Sequence, residues 1–308
     1  MRVTQASFYN QATQQMREQQ AKVFETQAQL SSGKKLLKPS DDPALATAIN
    51  NLKSQIDINQ RYLTNLNRME DTLKMQDSTV SSSLGVVARI KELSVQAAND
   101  TYSAADRKSI AIEVKELISS LVDLGNIRGT DGAYLFSGYS QGQAPFSESS
   151  LGVVTYTGST DAMKVMVDEG RSMQLGIAGS DIFGSVHHLD TSTGDSSRIE
   201  MFTTLNTMYQ ALVTNDGDAI RNNLDKISSV HEHITIQQSS IGSRMKRIET
   251  LSYALEDRAF TYTMLQSNME DLDYVEAASR LKNQSLALQA GQQTFAQLSD
   301  LSLFKYIR

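Results

Sequence analysis

The stretch that decides the fold lies between residues 42 and 99 and reads DPALATAINNLKSQIDINQRYLTNLNRMEDTLKMQDSTVSSSLGVVARIKELSVQAAN. Two rows of apolar residues recur through it at steps of seven, offset from each other by three and four residues. The first row holds Leu45, Leu52, Leu66, Leu73, Val80 and Val87, and the second holds Ile49, Ile56, Leu63 and Leu84. This is the pattern of a coiled-coil seam, so the stretch is predicted to be one long helix packed against partner helices.

Polar residues interrupt both rows. Asn59 stands in the first row, and Glu70 and Asp77 stand in the second. They face water if the helix drifts by about 20° per heptad; alternatively, they fix the register among packed helices or contact neighbouring subunits. No proline lies between Pro43 and Pro145, so a continuous helix about 85 Å long is allowed.

The second half of the chain supplies a partner of similar length. A row at steps of seven holds Ile234, Ile241, Ile248, Leu255, Tyr262 and Met269, and Leu251, Leu265 and Leu272 fill positions between them. The two seams are far apart in sequence, so the chain must fold back for them to meet.

The two ends of the chain resemble each other in composition. Residues 1–32 and 274–308 are rich in polar residues, and each carries a sparse apolar row: Tyr9, Met16, Val23 and Leu30 at one end, and Tyr274, Leu281, Leu288 and Phe295 at the other. We predict that these segments pair as helices. They are expected to be disordered in an isolated subunit, because so few apolar residues offset roughly 1–2 kcal/mol of backbone entropy per residue.

Local signals mark where the helices begin and end. Capping side chains, prolines at first helical positions and a glycine at a C-terminus are typical of such boundaries. The predicted signals are Gly33 after the first helix, Asp42 with Pro43, the box from Ser103 to Asp106, Asp216 or Asp218, and the box from Asp273 to Glu276.

A different pattern occupies residues 130–194, where glycines cluster. Short runs of β-forming residues at 133–136, 153–156, 164–167 and 173–177 predict a small, mostly antiparallel β-rich insert. The predicted fold class is therefore mainly α, a long antiparallel helical coiled-coil bundle from both chain halves with this insert. The predicted domains are a terminal assembly domain (1–42 plus 269–308), a long bundle (43–129 plus 195–268) and the insert (130–194).

Composition excludes several classes of protein. The chain of 308 residues has no cysteine, which excludes disulfides and thiolate metal sites. A net charge of −6 without a basic run argues against nucleic-acid binding. The N-terminus lacks the apolar core of a Sec signal peptide, and no apolar stretch is long enough to span a membrane. The chain is thus expected to be cytoplasmic, or exported by a route that reads another signal.

No catalytic, cofactor-binding or metal site is predicted. His231 and His233 lie two residues apart, so a helix points them to different sides, and the pair His187 and His188 lacks a third ligand. No glycine-rich phosphate loop and no G-x-S-x-G elbow occurs, so an enzyme is not expected.

Several sequence segments resemble the bacterial flagellin family. Residues 30–33 (LSSG) with 39–44 (PSDDPA) are similar to its N-terminal signature, and residues 89–99 (RIKELSVQAAN) to its next segment. Residues 271–274 (DLDY), with Gln284, Gln289 and residues 290–291 (AG), resemble its C-terminal signature. The start (MRVTQ), the end (LSLFKYI) and the segments at 133–138, 145–146 and 156–158 resemble the hook–filament junction proteins of that family.

The resemblance implies a structural subunit at the hook–filament junction, outside the cell. Export through the flagellar type III pathway, with a transient stay in the cytoplasm, is expected. The implied partners are other copies of the chain, hook-associated protein 1, flagellin and an export chaperone on the C-terminal helix. Two alternatives stay open: that the chain is flagellin itself, or that the β insert makes it an adhesive or glycan-binding component.

The resemblance also implies roles for particular residues. Arg89, Leu93 and Glu113 match the flagellin surface that an innate immune receptor contacts, although a shared assembly contact is the simpler reading. The packing and assembly residues are predicted to be Leu45, Ile49, Leu52, Ile56, Leu63, Leu66, Leu73, Val80, Leu84, Ile234, Ile241, Ile248, Leu255, Leu265, Leu281, Leu288 and Phe295.

Overall fold

The computed structural model describes residues 2–149, 153–190 and 194–304, with side chains at the two ends described for residue 7 and from residue 9 to residue 297. The chain divides into two compact units. We call Met1–Asn59 with Asp257–Arg308 the terminal unit and Gln60–Glu256 the central unit.

Helices dominate the described residues, which confirms the predicted mainly α fold with a small β-containing part. The helices are α1 (Arg2–Ser32), α2 (Pro43–Ala97), α3 (Ala104–Gly125), α4 (Gly179–Phe183), α5 (Met201–Val213), α6 (Gly217–Glu270) and α7 (Tyr274–Phe304). The strands are β1 (Phe146–Glu148), β2 (Val154–Tyr156), β3 (Lys164–Asp168), β4 (Arg171–Gln174), β5 (Ser185–Leu189) and β6 (Ser196–Glu200).

The predicted helix boundaries near the N-terminus are confirmed. Gly33 adopts φ +71° directly after α1, and its N–H donates to the Gln29 carbonyl at 2.8 Å. At the start of α2, Asp42 Oδ1 accepts hydrogen bonds from the N–H groups of Ala44 and Leu45 at 3.1 and 2.9 Å. These bonds satisfy donors that the first turn of a helix leaves unpaired.

Capping side chains also start the later helices. The capping box between Ser103 and Asp106 is complete in both directions. Asp216, rather than Asp218, caps α6 by accepting from the Ala219 N–H at 3.0 Å. Asp273 Oδ1 accepts from the second and third N–H groups of α7 at 2.9 and 3.1 Å.

In the central unit, α2 runs antiparallel to both α3 and α6. Arg89 of α2 pairs with Glu113 of α3 at 2.8 Å, whereas further along α2 the Ala97 carbonyl accepts from Arg107 of α3 at 2.9 Å. The residue numbers thus rise on one helix as they fall on the other. Likewise Asp100, just past the end of α2, pairs with Arg221 near the start of α6, while Glu70 shares a groove with residues 242–256 of α6.

In the first apolar row of α2, Leu66, Leu73, Val80 and Val87 are buried as predicted, whereas Leu45 and Leu52 are half-buried. The second row is wrong beyond Leu63. From Met69 onward the buried residues of this row lie one position earlier in the sequence than predicted. They are Met69, Gln76, Ser83, Ile90 and Ala97. A step of three from Leu66 to Met69, where four was expected, shifts the row around the helix. Consequently Glu70 is only half-buried and pairs with Lys74 at 2.7 Å, and Asp77 and Leu84 are half-buried.

In residues 146–149, 153–190 and 194–200, which the structure describes, the strands form three separate two-stranded antiparallel pairs, β1–β2, β3–β4 and β5–β6. The predicted strand at 133–136 is wrong: this segment holds turns and one isolated bridge between Tyr134 and Arg128. Gly132 and Gly138, with φ of +79° and +63°, enclose it and bend the backbone out of the extended conformation. The predicted strands at 153–156 and 164–167 are confirmed.

An aromatic cluster joins this part to the helices. The Phe183 ring lies 5.4 Å from Phe136 and 5.5 Å from Phe146, and Phe146 lies 5.6 Å from Phe202 of α5. Edge-to-face arrangements at these distances are favourable. The hydrophobic core of the protein therefore lies in the central unit, where the helices and the hairpins meet.

Candidate assembly surface

The terminal unit contains an antiparallel pair of helices, α1 and α7. Thr26 Oγ1 of α1 donates to Gln284 Oε1 of α7 at 2.9 Å, and the Tyr9 and Phe295 rings meet edge to face at 5.6 Å. The pairing of the terminal helices is therefore confirmed. Their disorder in a free subunit stays a prediction for solution measurements.

A groove lies along this pair. It has a volume of about 740 Å³ and is lined by apolar and small residues of both helices together with glutamines. Met16, Leu288 and Phe295 form its apolar floor, and Ala12 and Gly291 leave room at its sides. Apolar floor next to small side chains is a surface onto which a further helix can pack closely.

Large apolar side chains of the terminal unit are exposed well beyond this groove. Val275 is 83% exposed and Phe260 is 71% exposed. Among the side chains that the structure describes in this unit, the other exposed ones are Phe24, Met264, Leu265, Tyr274 and Leu286. Exposed apolar side chains in this number favour a surface that becomes covered when the protein assembles.

The turn between α6 and α7 is tied to the loop between α1 and α2. The Lys35 N–H donates to the Glu270 carbonyl at 2.8 Å, and the Leu272 N–H donates to the Gly33 carbonyl at 2.9 Å. Gly33 leaves space for the Tyr274 hydroxyl, which would lie 2.7 Å from a Cβ at that position. These bonds fix the end of α1 next to the start of α7.

Glu270 is the electrostatic centre of this connection. Its carboxylate is nearly buried and accepts from Lys34 at 2.6 Å, Lys53 at 3.2 Å and Gln266 at 2.8 Å. The hydrogen bonds from Gln266 and the two lysines lower the pKa of Glu270 from its ordinary value of 4.5 to about 2. The ionised carboxylate therefore holds the loop after α1, helix α2 and helix α6 together at neutral pH.

The predicted packing and assembly residues fall into three groups. The buried ones are Ile49, Leu63, Leu66, Leu73, Val80, Ile234, Ile241, Ile248 and Leu255. The half-buried ones are Leu45, Leu52, Ile56, Leu84, Leu281, Leu288 and Phe295. Leu265 is exposed. The half-buried and exposed groups belong to the terminal unit, with Leu84 as the exception.

The three residues that match the receptor-contacting surface of flagellin lie on α2 and α3. Arg89 binds both Glu92 and Glu113 at 2.8 Å, and these hydrogen bonds raise its pKa further. Leu93, in contrast, is buried in the core. Of the three, only Arg89 and Glu113 have exposed side chains.

Two polar residues that organise the fold were not predicted from the apolar pattern, which placed Asp77 rather than Gln76 in the second row. Gln76 is completely buried, and its amide donates to the Leu135 and Ile177 carbonyls at 2.9 Å and accepts from the Ile177 N–H at 3.0 Å. Arg107 is buried and donates to the Ala97 carbonyl and to Asn215 Oδ1. A polar residue in phase with a buried row was the one available indication for Gln76.

Two of the four histidines contact protein groups. His188 Nδ1 lies 2.9 Å from Ser229 Oγ, and His233 Nε2 lies 2.9 Å from the Asp181 carbonyl. Among the residues that the structure describes, no cluster of three or more potential ligands is arranged to hold a metal ion. In the same part of the chain, none of the helices is both long and apolar enough to cross a membrane.

Comparison with known proteins identifies the family. Residues 3–141 match the family model for the bacterial flagellin N-terminal helical region, and residues 224–307 match that for its C-terminal helical region. The chain belongs to the bacterial flagellin family. The matched ends contain α1, α2 and α3 and nearly all of α6 and α7, so the family resemblance seen in the sequence is confirmed.

Particular relatives of this flagellin-family chain match it from end to end. Flagellar hook-associated protein 3 of Escherichia coli is 29% identical over 318 aligned residues, which cover 99% of each chain. The protein of the same name from Salmonella typhimurium is 28% identical over the whole of both chains. A solved structure of a putative flagellar hook-associated protein from Vibrio parahaemolyticus shares the fold with a TM-score of 0.64, at 19% identity over 75% of this chain and all of that one.

Proposed function

We propose that this chain is the structural subunit that joins the flagellar hook, through hook-associated protein 1, to the flagellin filament. The observation that carries the proposal is the full-length similarity to two proteins named flagellar hook-associated protein 3. Flagellin A of Helicobacter felis, in comparison, aligns with only 51% of this chain and 29% of its own length. The flagellar filament 41 kDa core protein of Borreliella burgdorferi aligns with 80% of this chain but at only 23% identity, so the higher identity and the complete coverage favour the junction protein over the filament protein.

The terminal unit supports a role in polymerisation. In this proposal, residues 1–42 and 269–308 form the assembly domain, residues 43–129 and 195–268 the supporting bundle, and residues 130–194 an insert. The groove floor of Met16, Leu288 and Phe295 would be covered by terminal helices of neighbouring subunits. Burial of apolar surface contributes about 25 cal/mol per Å², which favours packing of the exposed side chains of this unit against such neighbours.

The route to the junction follows from the same proposal. The chain would pass through the flagellar type III pathway, with a chaperone on α7 in the cytoplasm, and would assemble outside the cell. The absence of cysteine agrees with passage of an unfolded chain, because no disulfide locks it.

A deletion strain tests the proposed function. Cells that lack the chain should form hooks without filaments and release flagellin monomers into the medium, and a plasmid copy should restore filaments in electron micrographs. Immunogold labelling should mark one point between hook and filament. Label spread along the whole filament would instead identify the chain as flagellin, and filaments of normal length in the deletion strain would overturn the junction role.

A further inference from the structure

A cavity lies between α2 and the β-containing part of the central unit. Its volume is about 330 Å³, near the lower end of the roughly 300–1,000 Å³ that is usual for small-molecule sites. Side chains of α2 form one wall, and the loop from Gly129 to Leu135 forms another. Residues 162–163 and 175–177, next to the start of β3 and the end of β4, close it. We call this space the α2 cavity; its size suits one small ring rather than a long ligand.

Apolar side chains line the buried part of the α2 cavity. Leu175 and Ile177 are buried there, and Met75 and Met163 are half-buried. Ala162, also buried, is too small to fill the space. A ligand that enters must therefore present C–H surface to these side chains in addition to any polar groups.

The exposed rim of the α2 cavity is polar. Asn67 and Asp71 lie one helical turn apart on the same side of α2, with Arg68 beside them, and all three are exposed. Lys74 pairs with Glu70 at 2.7 Å and lies beyond ion-pair distance of Asp71. Among the described residues, neither Asn67 nor Asp71 has a hydrogen-bond partner. The amide and the carboxylate can therefore bind a ligand without breaking a bond within the protein.

The charges around the α2 cavity balance. Arg68 Nη2 lies 3.3 Å from Asp131 Oδ2 at the rim. Arg128 lies 4.4 Å from the centroid of the Tyr134 ring and donates to its hydroxyl at 2.8 Å, which fixes this ring in the cavity wall. The two guanidinium groups thus offset the carboxylates of Asp71 and Asp131. Because an anion or a cation would meet a like charge as well as an opposite one, an uncharged ligand is favoured.

We propose that the α2 cavity binds a neutral hexose, either free or at the end of a glycan. Sugar hydroxyls both donate and accept, and they match a rim on which Asn67 and Gln141 do both, Arg68 donates and Asp71 accepts. The C–H surface of the sugar ring then packs on the apolar lining. This proposal goes beyond the junction role and does not depend on it. If copies of the chain assemble, each contributes one such site, and several weak sites together bind a multivalent glycan more tightly.

The walls of the α2 cavity come from two kinds of sequence. The α2 side chains and the loop from Gly129 to Leu135 lie within residues 3–141, which match the N-terminal family model. Residues 162–163 and 175–177 lie outside both matched regions. The cavity is thus closed by a stretch that the two family models do not cover, which is where a property peculiar to one member is expected.

Saturation-transfer NMR on the purified full-length chain tests the proposal, with D-glucose, D-galactose and D-mannose as separate probes. At least one hexose should receive saturation, with a Kd in the millimolar range that is expected for a ligand of about twelve non-hydrogen atoms. Asn67→Ala combined with Asp71→Ala should weaken this binding about tenfold. Both residues are exposed, so the double variant should melt like the unaltered chain. The matched control is Asp57→Ala, an exposed carboxylate of α2 outside the cavity, which should leave binding unchanged.

Three results would overturn the proposal: no saturation transfer to any of the three hexoses, equal binding by the double variant and the unaltered chain, or tenfold tighter binding of glucosamine or glucuronate than of glucose. An array of hexose-terminated glycans then identifies the source of the ligand. Binding on the array supports a glycan end, whereas binding in solution alone supports a free sugar. The junction role is tested separately by the deletion strain, so either proposal can fail while the other stands.

Discussion

Replacement of Gln76 by leucine tests how the β-containing part is held on the helices. The amide of Gln76 satisfies two carbonyls and one N–H, on Leu135 and Ile177, and it has no exposed surface. Leucine has nearly the same size, so Gln76→Leu removes the hydrogen bonds with little change in volume. The variant therefore isolates the polar contribution of this side chain.

The magnitude follows from the groups that lose their partners. Leaving a buried donor or acceptor unsatisfied costs about 1–3 kcal/mol. Carbonyls tolerate the loss better than an N–H group, so we expect Gln76→Leu to lower the free energy of unfolding by about 3 kcal/mol. For a unit of this size, the melting temperature should fall by roughly 6–12 °C.

Urea titration and thermal melting of the full-length chain, followed by circular dichroism, measure the effect. Gln60→Leu is the matched control, because Gln60 is exposed on the same helix and should change stability by less than about 0.5 kcal/mol. Gly176→Ala is an independent perturbation, since its Cβ would lie 2.9 Å from both polar atoms of the Gln76 amide. A loss below about 1 kcal/mol for Gln76→Leu, equal to that of Gln60→Leu, would refute the reasoning.

Three further substitutions probe the core and the terminal unit. Leu66→Ala removes a fully buried side chain and should cost about 2–5 kcal/mol in urea titration; a cost under 1 kcal/mol would show that the seam is not the stability core. Leu288→Asp should leave the monomer melt unchanged but stop filament growth, because its charge would be buried only on assembly; a variant strain that swims normally would contradict this. Glu270 has a folded pKa of about 2, below its ordinary 4.5, so its carboxylate stabilises the fold above about pH 4.5 and this contribution disappears as the pH falls towards 2. The melting temperature of Glu270→Gln should accordingly fall below that of the unaltered chain at pH 7 and approach it at pH 2, and an equal gap at both pH values would exclude this role.

Local signals and long periodic patterns were readable from the sequence. The starts at Asp42, Ser103 and Asp273 depend on side chains that bond to their own first turn, so no tertiary information is needed. The row from Leu52 to Val87 was readable because every member packs on the same side of one helix. The pairing of the terminal segments followed from their shared composition.

Features that depend on the partner were not readable. The second buried row of α2 runs through Met69 and Gln76 because other elements pack against these positions. The sequence of α2 alone does not indicate which elements those are. The strand Phe146–Glu148 was missed, because its three residues are too few to show an alternating pattern. Glu270 looked like any helix-end carboxylate, since the lysine that reaches it from the first loop lies 236 residues away in sequence.

The pairing of α1 with α7 has a consequence for the order of events during synthesis. Thr26 and its partner Gln284 are separated by 258 residues, so the first helix emerges from the ribosome long before the last one exists. Synthesis at about 5–20 residues per second leaves that interval at tens of seconds, far longer than the microseconds in which a helix forms or melts. During this interval the N-terminal segment has no partner helix within its own chain, and its glutamine-rich surface is accessible to factors that bind nascent chains. The apolar row of α1 is therefore available for recognition at first and becomes covered only when the final residues have been made.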